Sequence, residues 1–299
     1  MMKKLVISSL LVSTVALGGF GMSVSAAPTT NGKASFTDKD AHTHVVKPQT
    51  LEAIKDVTGG QAPDGSVAES GAVRLMYAPT FDFGINQIST IDADYAVKMN
   101  SVQPITWTEN IETKPSTWTH KNTQTGDPAK DAAAYDIPQF VQVSDISGID
   151  TTNWNVTVKQ DTAFTNGTGA DAKTLKAGTT IDIYGQTLTT TSETAVANLA
   201  AGMTMDASGK ASIPIGKDVG GLKVLGRKDS TAASATTGTI TSNVFKKEYG
   251  EADYSSTKTA TSTEDFRYNN DVKLHVPAQK ITKDVTYSTT LTWAVTIGE

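Results

Sequence analysis

Two tryptophans in matching surroundings have the most chemistry to offer in this chain. They stand in Trp154-Asn155-Val156-Thr157-Val158 near the middle and in Leu291-Thr292-Trp293-Ala294-Val295 close to the last residue. A flat indole can stack on the C–H face of a sugar ring, or it can fill a core while its N–H finds an internal partner. From Tyr287 onward, Thr289, Leu291, Trp293, Val295 and Ile297 point one way, and Ser288, Thr290, Thr292, Ala294 and Thr296 the other. That is the period of a half-buried strand. The apolar same-face neighbours Leu291, Val295 and Ile297 favour the core role over the stacking platform. The two Trp strands are expected to belong to one fold, where they could pair or face each other.

Other candidate chemistry is weaker. Asp38, Asp40, His42 and His44 are spaced by two, so an extended segment would turn all four to one side, and Asp with His can ligate zinc. They lie in a polar stretch with no second shell in the sequence, and a solvated segment without metal is expected. Asp92 and Asp94 are the sort of carboxylate pair that glycoside hydrolysis uses, but a solvated turn is the expected setting. There is no Cys nucleophile, no G-x-S-x-G, no H-E-x-x-H and no phosphate loop. The histidines are His42, His44, His120 and His275, and the first three fall in segments expected to be mobile. No catalytic residue, metal or cofactor is expected.

The elements that must position the tryptophans follow from the rest of the chain. Lys3 and Lys4 precede an apolar run from Leu5 to about Met22, and Val24-Ser25-Ala26 supplies small residues for cleavage. Residues 1–26 therefore read as a secretory signal peptide, with an uncleaved anchor as the alternative. No later apolar stretch is long enough for a membrane-spanning helix, and no membrane tail or sorting signal is expected beyond the final strand. Residues 27–70, with Gly59-Gly60, Pro63 and Asp64-Gly65, read as a flexible polar leader with one weak helical stretch near Leu51–Val57.

Residues 71–299 show strand signals at Val73–Tyr77, Ile137–Val143, Trp154–Lys159, Thr180–Tyr184, Ile240–Phe245, Val272–Val276 and Tyr287–Ile297. Two polar stretches, Glu109–Ala134 and Arg227–Asp265, suggest long surface loops, and Ser192–Ala201, with Ser192 as N-cap, one short helix. The expected fold is all-β: an antiparallel β-sandwich or barrel-like domain with long polar loops and at most one short helix. Cys is absent, so a chain of 299 residues exported by such a signal must rely on core burial. It carries 26 basic and 31 acidic residues; removing the signal takes away Lys3 and Lys4, and the net charge falls from −5 to −7. With no basic cluster, nucleic acid is an unfit partner, and polyanionic wall polymers would not be held by charge.

The motifs together resemble the WxL-domain surface proteins of Gram-positive bacteria. Tyr287 to Val295 is similar to the family's terminal Y-x-x-x-L-T-W-x-L, and Trp154-Asn155-Val156 to its mid-domain W-x-L strand. Phe140-Val141-Gln142-Val143-Ser144-Asp145 resembles its F-x-Q-V-x-D lead-in, and Leu75 to Gly84 its early strand closing on Phe83-Gly84. Two features depart from the pattern: both motifs are Trp-x-Val, and Ile146-Ser147-Gly148-Ile149-Asp150 replaces a customary Arg-Gly-Thr, which puts that loop's polar contact in doubt. The resemblance implies a secreted cell-surface protein attached non-covalently to peptidoglycan, working in adhesion or in assembly with other surface proteins. Its implied motif residues, for wall binding or for structure, are Trp154, Val156, Leu291, Trp293 and Val295. A carbohydrate-binding adhesin for host or external glycans is the alternative, and a wall-remodelling hydrolase the third reading.

Overall fold

The computed structural model describes residues 45–50, 52–56, 73–107, 126–128, 134–150, 152–167, 172–250, 253, 267–281 and 285–298. The signal peptide, the Asp38–His44 quartet and most of Glu109–Ala134 lie outside them. In chain order the strands are β1 (Ile54–Asp56), β2 (Val73–Tyr77), β3 (Ala93–Lys98), β4 (Asn100–Trp107), β5 (Gly126–Pro128), β6 (Tyr135–Ile137), β7 (Phe140–Asp145), β8 (Asn153–Gln160) and β9 (Thr165–Asn166). They continue with β10 (Lys173–Thr174), β11 (Thr180–Ile183), β12 (Thr187–Thr190), β13 (Ala200–Gly202), β14 (Ala211–Ser212), β15 (Leu222–Arg227), β16 (Thr239–Val244), β17 (Tyr268–Val276) and β18 (Leu291–Gly298). One helical turn, α1 (Val196–Leu199), precedes β13.

Of four four-stranded antiparallel sheets, one gathers β1, β5 and β6 on β4, and three run β14-β11-β17-β3, β12-β16-β7-β2 and β13-β15-β8-β18. These three share one apolar core that holds Val141 and Val143, Ile181 and Ile183, Val224 and Leu225, and Val272. The fold is thus all-β and antiparallel, with sheets stacked over a common core and no sheet among the described residues closed into a barrel. Strand β7 carries the logic of this stacking, because both its faces are covered and all six of its residues are buried. Val141 and Val143 join the main core, while Phe140 enters a second cluster with Val45, Ile54, Tyr77, Val102 and Ile137. Its alternation of apolar and polar residues therefore marks two interiors, not an inside and an outside.

Polar side chains tie the clusters together. Asn269 donates to the Gln139 side chain at 3.1 Å, and Gln139 donates to the Asn100 side chain at 3.1 Å. Asn100 in turn donates to the Tyr77 hydroxyl, and Tyr77 stacks on Phe140 with ring centroids 4.4 Å apart. These amides sit on β17, on the β6–β7 link and on β4, so one buried chain joins three sheets. Each link is specific because an unpaired buried amide would cost its full desolvation.

Three sequence expectations change. The weak helix near Leu51–Val57 is instead the second arm of a hairpin, with Val46 bridged to Ala53 and β1 paired antiparallel to β4. Pro48 and Gln49 occupy its turn, and Val45, Val46 and Ile54 are buried, so tertiary burial overrides a short helical preference. The short helix is a single turn whose N-cap is Ala195; Ser192 instead accepts the Thr194 N–H. The stretch Arg227–Asp265, read as a surface loop around the strand signal at Ile240–Phe245, holds that strand as β16, but Arg227, Ser234 and Thr236 ahead of it are buried instead of exposed.

Gln142 holds the hairpin in place. Its Oε1 accepts the Val46 N–H at 2.9 Å, and its Nε2 donates to the Val46 carbonyl at 2.8 Å and to Ser242 Oγ at 2.9 Å. The side chain thus completes the hydrogen bonding of Val46, whose neighbours Val45 and Lys47 bond to the hairpin's other arm. Gln142→Ala is expected to destabilise the fold by ~1–3 kcal/mol, the cost of leaving the Val46 amide group unpaired in a buried setting. Urea melts with limited proteolysis measure this: cleavage should begin in residues 45–56, and unchanged protection there would refute the clasp.

Candidate functional site

Strand β8 runs antiparallel to β18 without a break in register, from Leu291 opposite Gln160 to Gly298 opposite Asn153. The two Trp motifs are therefore neighbours in one sheet. Trp154 lies opposite Ile297, Val156 opposite Val295, and Trp293 opposite Val158. All five expected motif residues share the face turned to the main core. Trp154 and Val156 are fully inside it, and Leu291, Trp293 and Val295 are half-buried against it. Trp293 lies nearly parallel to Phe81 and Phe245, with centroids 6.5 and 6.4 Å away.

Trp154 is 1% exposed and has no ring face to offer a ligand. Its N–H donates to Thr236 Oγ1 at 2.9 Å, and Thr236 Oγ1 donates to Asp145 Oδ2 at 2.6 Å. The other carboxylate oxygen of Asp145 accepts the Ser147 N–H at 3.0 Å. Trp154, Thr236 and Asp145 are all buried, so this chain of bonds links the two facing sheets through the core. The strand beside Trp154 must also come close: a Cβ at Gly226 would sit 3.0 Å from the Trp154 carbonyl oxygen. Glycine is the residue that permits this approach.

The loop that enters β8 lacks the expected arginine, and another takes up its carbonyls. Arg227, at the end of β15, is 2% exposed. Its guanidinium donates to the Ser234 carbonyl at 2.9 Å, to the Thr152 carbonyl at 2.7 Å, and to the carbonyls of Asp150 and Thr231. Five fixed donors suit such a cage of backbone acceptors, and lysine could not reproduce the fork. Sequence reasoning placed Arg227 at the start of a surface loop; a lone Arg closing an apolar strand was the signal available. Next to it, Asp229 accepts from Ser234 and Thr231 hydroxyls and the Thr231 N–H, which hold its carboxyl at about 2.

The remaining candidates are placed separately. Asp92 accepts the Ala278 N–H at 2.8 Å, and Asp94 lies 2.8 Å from His275 Nδ1, so each carboxylate has its own partner. Asp94 belongs to β3 and not to a turn. His42, His44 and His120 lie outside the described residues.

An open groove of about 320 Å³ lies between the Lys47–Thr50 turn, β12 and β16, and it was missed from sequence. Gln49, Thr50, Thr190 and Thr191 offer polar groups along it, and Pro48 and Ile240 offer apolar surface. Gln49 takes φ 70°, a left-handed conformation that side-chain-bearing residues seldom adopt. Strain of that kind collects at ligand sites.

The WxL family model, described as a surface cell wall-binding domain, matches residues 23–297. The chain belongs to this family, which places it at the extracellular cell surface, at the wall. No curated protein and no solved structure matches it. No helix among the described residues is long and apolar enough to cross a membrane.

Two predictions follow from this geometry. Trp154→Ala is expected to cost ~3–5 kcal/mol, as large aromatic truncations do, while Thr236→Val costs ~1–3 kcal/mol by stranding the indole N–H and a carboxylate oxygen. Denaturant melts measure both, and a Thr236→Val protein as stable as the parent would show that the bond chain contributes nothing. For Asp229 the folded pKa of about 2 lies below the ordinary carboxylate value of ~3.9. The stability it supplies is complete above the unfolded value and is lost as pH falls through about 2. The stability gap between parent and Asp229→Asn should therefore shrink between pH ~4 and ~2, and a gap independent of pH would contradict the assignment.

Proposed function

We propose that this member of the WxL family attaches non-covalently to peptidoglycan and serves surface-protein assembly or adhesion as a binding module without catalysis. The observation that carries the reading is the groove beside the Lys47–Thr50 turn. A glycan strand presents hydroxyl and amide groups on its edges and C–H groups on its faces. Gln49, Thr50, Thr190 and Thr191 line the groove with polar side chains that internal hydrogen bonds hold in place, and Pro48 and Ile240 add an apolar surface. A volume of about 320 Å³ suits one or two sugar units in an open cleft. Trp154 takes no part in this contact because its ring is enclosed; the sugar is held by hydrogen bonds, with stacking left out.

The charge balance supports the same picture. A mature chain near −7 gains nothing from attraction to an anionic wall, so affinity has to come from short-range contacts. Partner surface proteins would then be gathered around a chain already held by the glycan. The alternative reading, an adhesin for host glycans, would use similar groove chemistry on a different sugar.

Incubation of the mature protein with isolated peptidoglycan tests the proposal. The expected result is retention without release of wall fragments, little weakened by salt through the physiological range. Gln49→Gly, which removes the amide with its bond to the Tyr249 carbonyl and suits the left-handed turn, should reduce retention while the protein stays folded, as a single cooperative melt shows. Release of soluble fragments would mean hydrolysis, and full retention by Gln49→Gly joined with Thr190→Val would remove the groove as the contact.

A further inference from the structure

Exposed sheet edges attract other strands, and proteins guard them with short strands, charges, prolines or bulges. Among the described residues, the outer strands of the three sheets over the main core are guarded in these ways, with one exception. Strands β13, β14 and β12 have three, two and four residues. Strand β2 carries Arg74 and a register shift, and β3 carries Asp94 and Lys98 beside another shift. Strand β18 is the outer strand of β13-β15-β8-β18, has eight residues, and pairs with β8 in unbroken register. It contains no charge and no proline.

Its sequence is also close to a palindrome. About Ala294, apolar residues stand on either side (Trp293 and Val295), threonines next (Thr292 and Thr296) and aliphatic residues outermost (Leu291 and Ile297). An antiparallel strand pair with a two-fold axis requires this arrangement, since each residue must tolerate its mirror position.

We propose that β18 is a self-association edge, and that two copies of this chain join antiparallel through it, centred on Ala294, into one continuous eight-stranded sheet. In this register Leu291 meets Ile297 of the second copy, Trp293 meets Val295, and Thr292 meets Thr296. Aromatic with β-branched and Thr with Thr are favourable cross-strand pairs, and the small Ala294 lies at the axis. Ile297 is 47% exposed although it sits on the core-facing side, and the second copy would cover it. The absence of charge on β18 means that no like charges within the strand oppose the pairing. The association does not depend on wall binding. If the groove does bind glycan, the dimer presents two grooves and gains avidity.

Sedimentation velocity on the mature full-length chain over a concentration series tests the proposal. The expected result is a concentration-dependent monomer–dimer equilibrium. Ala294→Lys brings two like charges together at the axis and should abolish the dimer, with the thermal melt unchanged because Ala294 is on the exposed face. The native chain has no cysteine, so single substitutions report the register directly. Under mild oxidation Ala294→Cys should form an intermolecular disulfide, and Thr296→Cys, which would face residue 292, should not. A chain monomeric at every concentration, a dimer that survives Ala294→Lys, or a dimer in which Ala294→Cys fails to cross-link would each overturn the proposal. If Ala294→Lys fails to fold, the cysteine pair decides the question alone.

Discussion

The need of one buried indole N–H for a partner organises the centre of this molecule. Trp154 brings the largest fully buried side chain into the core, and with it a donor that water cannot reach. The donor ends on Thr236 at 2.9 Å, and Thr236 ends on Asp145 at 2.6 Å, so β8 is fixed against the end of β7 in the facing sheet. The bond contributes little relative to solvation in water, but its loss would strand two buried groups, and that asymmetry makes the arrangement specific. Much else follows from it. The segment between Arg227 and β16 must deliver Thr236 to the indole, and the Arg227 cage fixes that segment to the loop entering β8. A chain without disulfides gains rigid loops in this way while its sheets supply the apolar burial.

The legible parts of the fold were those with a clean period of two. Val73–Tyr77 is strand β2 as read, and the Trp strands, the strand at Thr180 and the strand ending at Val276 lie where alternation put them. Strand β15 escaped for a physical reason: its register shifts between Lys223 and Leu225, so Val224 and Leu225 are both buried and the alternation breaks. The strand signal at Ile137–Val143 was one run in sequence and is two elements in space, since Pro138 and Gln139 separate β6 from β7. The hairpin at residues 45–56 escaped because the group that ties its first arm down, the Gln142 amide on the Val46 backbone, lies 96 residues along the chain.

The site was less legible than the fold. Tryptophans draw attention as sugar platforms, yet the pairing that places Trp154 indoors is a contact between strands distant in sequence. The polar residues that matter to the architecture, Arg227, Thr236 and Asn269, stand among similar residues that face solvent, and composition cannot separate the two groups. The groove is assembled from three separate stretches, and Gln49 shows its unusual conformation only as a backbone angle.

The departure of both motifs from Trp-x-Leu to Trp-x-Val has an explanation in the register. Val156 and Val295 face each other across β8 and β18, so the two changes fall on one contact. Two β-branched residues directly opposed suit a pleated surface, and the volume lost on one strand is lost beside the volume lost on the other. A single change would have set a leucine against a valine and required the core to adjust on one side only; the paired change keeps the contact symmetrical. The motif therefore behaves in this chain as a statement about how the last strand docks on the middle one. Its side chains are committed to the interior by that docking, with Trp154 and Val156 enclosed and Trp293 laid beside Phe81 and Phe245.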